Sequence, residues 1–456
     1  MVAVFFGKRK KLKPAQVMVA GFLAALLIGA FCLALPVSVK ARRWAGFLDA
    51  LFTAASALFT VGLAVVNTAA YYSVFGQAVI LLLIQIGGLG IMAAATIVFL
   101  ALRKKISYNE RLMMQHALAA ETNEGVVKAM RRLLCTALAV EGIGFAAMLP
   151  EMIIRFGAGG IFKALFVSVS AFCNAGLQNL DGAGLTPFAA SVSVLLSIAF
   201  AAILGGLGFA VVADILSKKF KYSKFSLNTK IVLVTTGILL PFGTLFFLAS
   251  EYGNTMSGMT FGEKLLNAFF LAANAQATAG FNAIEVGRLT APSKFVVLFL
   301  SAVGAGPGST GGGIKTTTLA VLVVCAFSRP RADGAPVVGK RGIGRETVRR
   351  AVGAACFSLA LMFVGTLLLL LTESGNAQIQ SLYGLENILL ETTSAWSTSG
   401  LSAGITPGLT AGGKLVLIAL MFAGRIGPIT LAMAFGRNAG RADAKIGYAD
   451  ANIMIG

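Results

Sequence analysis

Apolar runs of about twenty residues, the length that crosses a bilayer, recur along the chain and are separated by short polar or basic stretches. Val17–Val37 and Leu359–Leu371 are nearly uninterrupted examples. The runs fall into four pairs, 17–37 with 76–102, 133–154 with 189–217, 230–250 with 294–325, and 350–372 with 412–436. Between the members of each pair lies a shorter amphipathic segment, at 45–59, 160–173, 262–277 and 382–396. These segments are too short to cross and have the length of re-entrant helices. The pattern therefore predicts span, short helix, glycine-containing turn, span, repeated four times. That is an all-α polytopic membrane protein with eight spans and both termini on one side. The expected units are 1–102, 103–217, 218–325 and 326–456.

The short segments are copies of one another. Asp49–Leu63 (DALFTAASALFTVGL), Lys163–Leu177 (KALFVSVSAFCNAGL), Asn267–Phe281 (NAFFLAANAQATAGF) and Asn387–Leu401 (NILLETTSAWSTSGL) align without a gap. Their glycines, Gly62, Gly176, Gly280 and Gly400, occupy one column. Irregular backbone at membrane depth is tolerated only where protein buries it or where it lines a wet cavity. Four such turns in one chain imply a central polar path.

Composition supports a membrane protein. The chain has 456 residues, 57% hydrophobic and 12% charged, where a soluble protein would carry about 25% charged residues. The net charge of +20 does not indicate nucleic acid, because the basic residues sit in short clusters between apolar runs. Of the 38 Lys and Arg, 27 fall in the N-terminus, 103–132, 218–230, 329–350 and the tail, and 9 on the opposite face. This bias places those segments, and both termini, in the cytoplasm. The first apolar run is read as a retained span rather than a cleaved signal, because it is long and lacks a clear small-residue cleavage site. Cys32, Cys135, Cys173, Cys325 and Cys356 form no C-x-x-C pair, and His116 is the only histidine. Neither a disulfide framework nor a histidine metal centre follows. A membrane enzyme would need a nucleophile–base pair or metal cluster that these residues do not supply.

The turns read Thr60-Val61-Gly62-Leu63, Asn174-Ala175-Gly176-Leu177, Thr278-Ala279-Gly280-Phe281 and Thr398-Ser399-Gly400-Leu401. Glycine lets successive carbonyls face one axis and replace an ion's hydration shell, as in the Thr-Val-Gly-Tyr-Gly filter of potassium channels. Each turn alone would pass for a glycine helix cap; four in register point to a filter. The helix C-termini would aim their negative dipole ends at a cation.

The second span of the third unit contains Gly304, Gly306, Pro307, Gly308, Ser309, Thr310, Gly311, Gly312, Gly313 and Lys315. So many glycines with a proline cannot hold a continuous helix, and a break is expected. A phosphate-binding P-loop is excluded because Ile314 separates Gly313 from Lys315 and no strand precedes it. The stretch corresponds in position to Gly87–Gly90 and Gly205–Gly208 in the first two units. Arg425 lies within the last span at the depth of Gly88. It either faces the interior or snorkels to the cytoplasmic edge. Lys315 either shares that interior position or points to the cytoplasm. Glu141 and Glu391 are each either a proton or sodium coupling site or a hydrogen-bonding group, and Asp49 is a local hydrogen-bonding residue.

These motifs resemble the Trk/Ktr/HKT superfamily of potassium transporters, in which one chain carries four M1–P–M2 units around one pore. The resemblance covers nearly the whole chain. The compact length, short tails and ending Asn452-Ile-Met-Ile-Gly456 are most similar to the Ktr membrane subunit. The resemblance implies K⁺ as transported ion, a gating loop at Gly304–Gly313, and an arginine, Arg425, that projects into the pore below the filter. It also implies a homodimer in the cell membrane and a degree of Na⁺ dependence. It further implies that the loops 103–132, 218–230 and 326–350 form a docking surface for a cytosolic RCK-type ring binding ATP, ADP or a similar nucleotide. This chain has no G-x-G-x-x-G after a strand and is expected to bind no nucleotide itself. Transport of Na⁺, or of both ions, is the alternative within the superfamily. Serine at the first filter glycine accompanies sodium preference in the plant branch, so Gly62 favours K⁺.

Overall fold

A computed structural model of the protein describes residues 14–90, 126–181, 184–327, 337–338, 341–376 and 384–427. The N-terminal basic cluster, His116, the termini, most of 326–340 and the tail lie outside the described residues, and the expectations placed on them lie there too. Each described unit begins with a long helix: α1 (Pro14–Ala34), α4 (Val126–Phe156), α8 (Leu227–Ser250) and α12 (Arg345–Glu373). Among the described residues these four are long and apolar enough to cross a membrane. Each is followed by a short helix, α2 (Phe47–Leu58), α5 (Gly159–Phe172), α9 (Phe261–Ala277) and α13 (Leu385–Ser397), and each short helix overlaps a segment predicted as re-entrant.

The second spans differ from expectation. They appear as α3 (Val74–Leu89), α6 (Val192–Leu207) with α7 (Phe209–Ser217), α10 (Ala291–Val303) with α11 (Thr316–Phe327), and α14 (Ala411–Ile426). The sequence predicts a break in the third unit and marks glycine turns at Gly87–Gly90 and Gly205–Gly208, and each of the four helices ends on a glycine. Gly90, Gly208, Gly304 and Gly427 end them with φ of 87, 98, 70 and 79° and ψ of 148, 141, −157 and 153°. This is backbone that only glycine adopts readily. At Gly208 the chain bends by 95° between α6 and α7. A two-residue antiparallel pair, Val337–Val338 with Arg341–Gly342, is the only strand structure among the described residues.

The units close on one another. Each second helix packs on the short helix of the following unit: α3 on α5, α6 on α9, α10 on α13, and α14 back on α2. Polar clamps reinforce three of these seams. Asn179 donates to Gln77 at 3.1 Å, Lys294 pairs with Glu386 at 3.1 Å, and Lys414 pairs with Asp49 at 2.8 Å. Asp49 therefore joins the last unit to the first, beyond the local role its position suggested.

The clamps lie near one end of the bundle, where the second helices begin. Ser73, Ser191, Thr290 and Thr410 each cap a second helix by accepting from an amide three residues on. In three units a glutamate near or just past the end of the long helix holds that cap. Glu151 accepts from Ser191; Glu251 accepts from the Thr290 amide and hydroxyl at 2.9 and 2.8 Å; Glu373 accepts from the Thr410 amide and hydroxyl at 3.0 and 2.7 Å. Asn254 and Asn376 donate to the latter two carboxylates, both at 2.8 Å. In the first unit the Ser38 carbonyl accepts from the Ser73 amide instead.

Glu373→Ala strands buried donors and is expected to cost about 1–3 kcal/mol. The thermal midpoint of the detergent-purified protein reads this loss; an unchanged midpoint would remove the cap from the determinants of the fold. Burial acts to raise the Glu251 carboxyl, but hydrogen bonds from Ser293, Thr290 and Asn254 outweigh it and hold the group below its ordinary value. A depressed carboxylate contributes stability above its unfolded value, about 4.3, that is lost as pH falls through the folded value. Acidification below about pH 4.3 should therefore lower the midpoint, and Glu251→Gln should flatten that component of the profile.

Candidate functional site

The four glycine turns share one backbone design. Thr60, Asn174, Thr278 and Thr398 are left-handed, with φ of 51, 52, 55 and 53°. For threonine this conformation is costly, by about 1–2 kcal/mol per residue. A bond that closes each turn offsets the cost. The amides of Val61, Ala175, Ala279 and Ser399 donate to the carbonyls of Ser56, Ser170, Asn274 and Ser394 at 2.8, 2.8, 2.9 and 2.9 Å. The side chains in that same column make a second tie in three units, one to the glycine itself and two to the residue after it. Ser56 Oγ accepts from the Gly62 amide at 3.1 Å, Ser170 Oγ donates to the Leu177 carbonyl at 2.7 Å, and Asn274 Oδ1 accepts from the Phe281 amide at 3.2 Å. These anchors were not singled out from the sequence, although the aligned copies carry a polar residue six positions before every glycine.

The turns meet in chain order. A Cβ on Gly62 would lie 2.9 Å from the Ala175 carbonyl oxygen, one on Gly176 2.9 Å from that of Ala279, and one on Gly280 2.8 Å from that of Ser399. A Cβ on Gly400 would strike the Val61 carbonyl oxygen, closing the circuit. The predicted turn residues are all buried except Gly62, which is half-buried. Asn174 Nδ2 donates to the Ala277 carbonyl at 2.6 Å and ties the second turn to the third.

The segment between α10 and α11 contacts all four turns or the helix ends that carry them. The Thr310 hydroxyl donates to the Phe172 carbonyl at 3.1 Å, and the Thr60 hydroxyl lies 3.4 Å from the Thr310 carbonyl. The Gly312 amide donates to Thr278 Oγ1 at 3.0 Å. Side chains on Gly311 or Gly312 would overlap Thr278 or Ser397 and Thr398. The Gly306 and Thr310 amides donate to the Gly206 and Gly205 carbonyls at 2.7 and 3.2 Å, and the Phe209 amide to Gly308 at 3.0 Å. Ser309 Oγ closes the loop on the Gly306 carbonyl at 2.6 Å. Pro307 lies against Gly208, and Gly313 against Gly304.

Two cations end on this loop. Arg425 does not snorkel: its guanidinium donates to the carbonyls of Thr310, Gly87 and Gly88. Lys315, with φ of 95°, turns back to donate to the Gly311 and Gly312 carbonyls at 2.7 and 3.2 Å. The loop is thus cross-linked to the first unit through the fourth. Glu141 lies elsewhere. Its carboxylate accepts from Gln85 Nε2 at 3.1 Å, and the Cys173 thiol reaches Gln85 Oε1 at 3.6 Å. Gln85 was missed, although it is a lone polar residue within an apolar run. Glu391 accepts from Ser402 and Thr406.

Known proteins resemble this chain in sequence and in fold. Residues 16–439 match the model of the TrkH family, described as cation transport protein. The potassium/sodium uptake protein NtpJ of Enterococcus hirae is 37% identical over 98% of both chains. The Ktr system potassium uptake protein B of Bacillus subtilis is 36% identical over 97% of both chains. In structure the chain resembles the potassium transporter TrkH from Vibrio parahaemolyticus, with a TM-score of 0.73 at 18% identity, over 94% of this chain and 86% of that one. The chain belongs to the TrkH family of cation transport proteins.

Proposed function

We propose that this chain takes up K⁺ across the cytoplasmic membrane, through a filter made by the four turns and past a gate made by the loop. The observation that carries this reading is the closed circuit in which each filter glycine abuts the next unit's carbonyl. Carbonyls of Thr60 to Leu63, Asn174 to Leu177, Thr278 to Phe281 and Thr398 to Leu401 replace the hydration shell of the ion. The short helices aim their C-termini at the same place and favour a cation there. Gly304–Gly313 lies across the path beneath them, and Arg425 and Lys315 add positive charge that repels a passing cation. Their bonds to loop carbonyls hold the closed arrangement, so the loop must release Arg425 to open.

The name of the Bacillus relative, a Ktr system protein, supports a separate regulatory subunit. We assign that role to a cytosolic RCK-type ring that binds the nucleotide and docks on the basic face, with two copies of this chain as a homodimer. Both termini lie in the cytoplasm in this reading. The name of the Enterococcus relative, which includes sodium, favours a second reading in which Na⁺ is carried or required as well.

Rubidium uptake in a potassium-transport-deficient host tests the function directly: no uptake by well-expressed protein would refute it. Gly62→Ser forces a side chain into a ring where the nearest atoms lie 2.9 to 3.2 Å away. It should lower K⁺/Na⁺ discrimination about tenfold, equivalent to ~1.4 kcal/mol of differential ion binding. Unchanged discrimination would count against the filter. Arg425→Ala removes the cross-link to Thr310 and should raise basal K⁺ flux, as should shortening Gly306–Gly311. Flat flux in both variants at normal expression would take the loop out of the gate.

A further inference from the structure

Residues 218–225, between α7 and α8, read Lys-Lys-Phe-Lys-Tyr-Ser-Lys-Phe: four lysines interleaved with three aromatic residues and no acid. A basic turn that only faces water needs no aromatic residues, and apolar surface left in water is a cost. Here Phe220 is 75% exposed and Tyr222 53%, and Leu216 in the last turn of α7 is 54% exposed. Lys219, Lys221 and Lys224 are exposed beside them.

The turn has a fixed shape. Two bonds of a Schellman motif close α7: the Phe220 amide donates to the Ile215 carbonyl at 3.2 Å, and the Lys219 amide to that of Leu216 at 3.4 Å. Glycine usually takes the left-handed position of this motif. Lys219 fills it with φ of 50°, and Phe220 follows at 60°. Two successive side chains thus stand on backbone that disfavours them. Asp214 fastens the turn to α8. Its carboxylate accepts from the Ser226 amide at 2.9 Å, the Thr229 hydroxyl at 2.8 Å and the Lys218 ammonium at 2.6 Å. Lys230 stands over the Tyr222 ring at 5.2 Å, and that ring meets Phe225 edge to face at 5.9 Å. Lys218 and Lys230 are therefore engaged. Lys219, Lys221 and Lys224 have no carboxylate partner among the described residues.

α8 ends beside the clamps, where Glu251 holds the Thr290 cap, so its start and this turn lie at the opposite end of the bundle. Its 24 residues make a helix about 36 Å long, against about 30 Å for the hydrocarbon core. Leu227 and the turn before it thus come to the level of the lipid headgroups. Aromatic rings are enriched at that level, and lysines there meet lipid phosphates. Three unpaired cations suit an anionic surface, and the exposed rings suit one with hydrocarbon behind it. Anionic phospholipid supplies both. Free phosphate or a soluble acidic segment supplies only the first.

We propose that Lys219, Phe220, Lys221, Tyr222 and Lys224 form a docking surface for anionic phospholipid headgroups in the leaflet at this end of the bundle. The lysines bind the phosphate layer, and Phe220 and Tyr222 seat at its boundary with the hydrocarbon. The inference requires only that the chain spans the membrane; neither the ion carried nor the gate enters it.

The test uses the full chain carrying Phe220→Trp, reconstituted without any partner protein in phosphatidylcholine bilayers. These contain a minor fraction of brominated phosphatidylglycerol or of brominated phosphatidylcholine. Bromine quenches an indole in contact with the labelled lipid, and the wild type, with its own two tryptophans, gives the background. At low salt phosphatidylglycerol should reach half-quenching at about one tenth of the fraction that phosphatidylcholine needs. High salt should narrow this preference. Lys219→Gln, Lys221→Gln and Lys224→Gln together should abolish it, whereas Arg349→Gln with Arg350→Gln, in another basic stretch, should leave it intact. Tyr222→Trp serves as the probe if the Phe220→Trp chain does not fold. Equal quenching by the two lipids, or quenching by neither, overturns the proposal, because the turn then selects no anionic lipid or faces water. A preference that survives the lysine replacements, or that the arginine variant loses equally, also overturns it, because the preference then belongs to the charge of the whole face.

Discussion

Hydrocarbon offers no partner to a free amide or carbonyl, so backbone that leaves regular helix at membrane depth must be satisfied by protein or by water in a cavity. This chain leaves regular helix repeatedly: at the four turns, at Gly90, Gly208, Gly304 and Gly427, and throughout Gly304–Lys315. These interruptions are gathered together. The amides of the loop are spent on Gly205, Gly206 and Thr278, its carbonyls on Phe209, Lys315 and Arg425. The bundle is built so that irregular backbone satisfies irregular backbone, with the long apolar helices placed outside it.

Closure of the ring follows from the same need. A single unit of long helix, short helix and second helix exposes one flank of its turn. Packing each second helix on the next short helix covers that flank, and α14 on α2 covers the last one. The Lys414–Asp49 pair joins residues 365 positions apart, so the first and last units complete the ring together. Four copies are not four equivalents, however. The third unit alone inserts a long glycine loop, and the fourth alone supplies an arginine to hold it. The fourth also carries Thr393 and Ser397 where the other three place apolar residues, and Glu391 where none of them places a charge.

Much of this was legible as pattern. The short helices, their glycines and the interrupted third span follow from residue types at fixed spacing, whereas spacing left Arg425 either facing the interior or snorkelling to the cytoplasmic edge. The point at which each second helix ends was less legible, because glycines such as those of Gly87–Gly90, Gly205–Gly208 and Gly427 are often tolerated within a helix. Their φ and ψ values, not their identity, reveal a stop. The anchoring column was visible in the aligned copies as Ser56, Ser170, Asn274 and Ser394, but a polar residue in a short helix has many available partners. Nothing local distinguishes the Ser56 hydroxyl, which holds the Gly62 amide, from the Ser394 hydroxyl, which has no partner among the described residues.

The sequence by itself determined the alternation of long and short helices, the four-copy plan and the residues able to take left-handed backbone, because these depend on periodicity and on each residue's own conformational limits. Only the tertiary structure decided that the turns meet in chain order, that Arg425 and Lys315 end on loop carbonyls, and that Glu391 accepts from Ser402 and Thr406. Those outcomes depend on which surfaces of distant helices come together. A hydrogen bond between Arg425 and Thr310 exists only once α14 and the loop have been brought to the same place by packing that neither segment encodes alone.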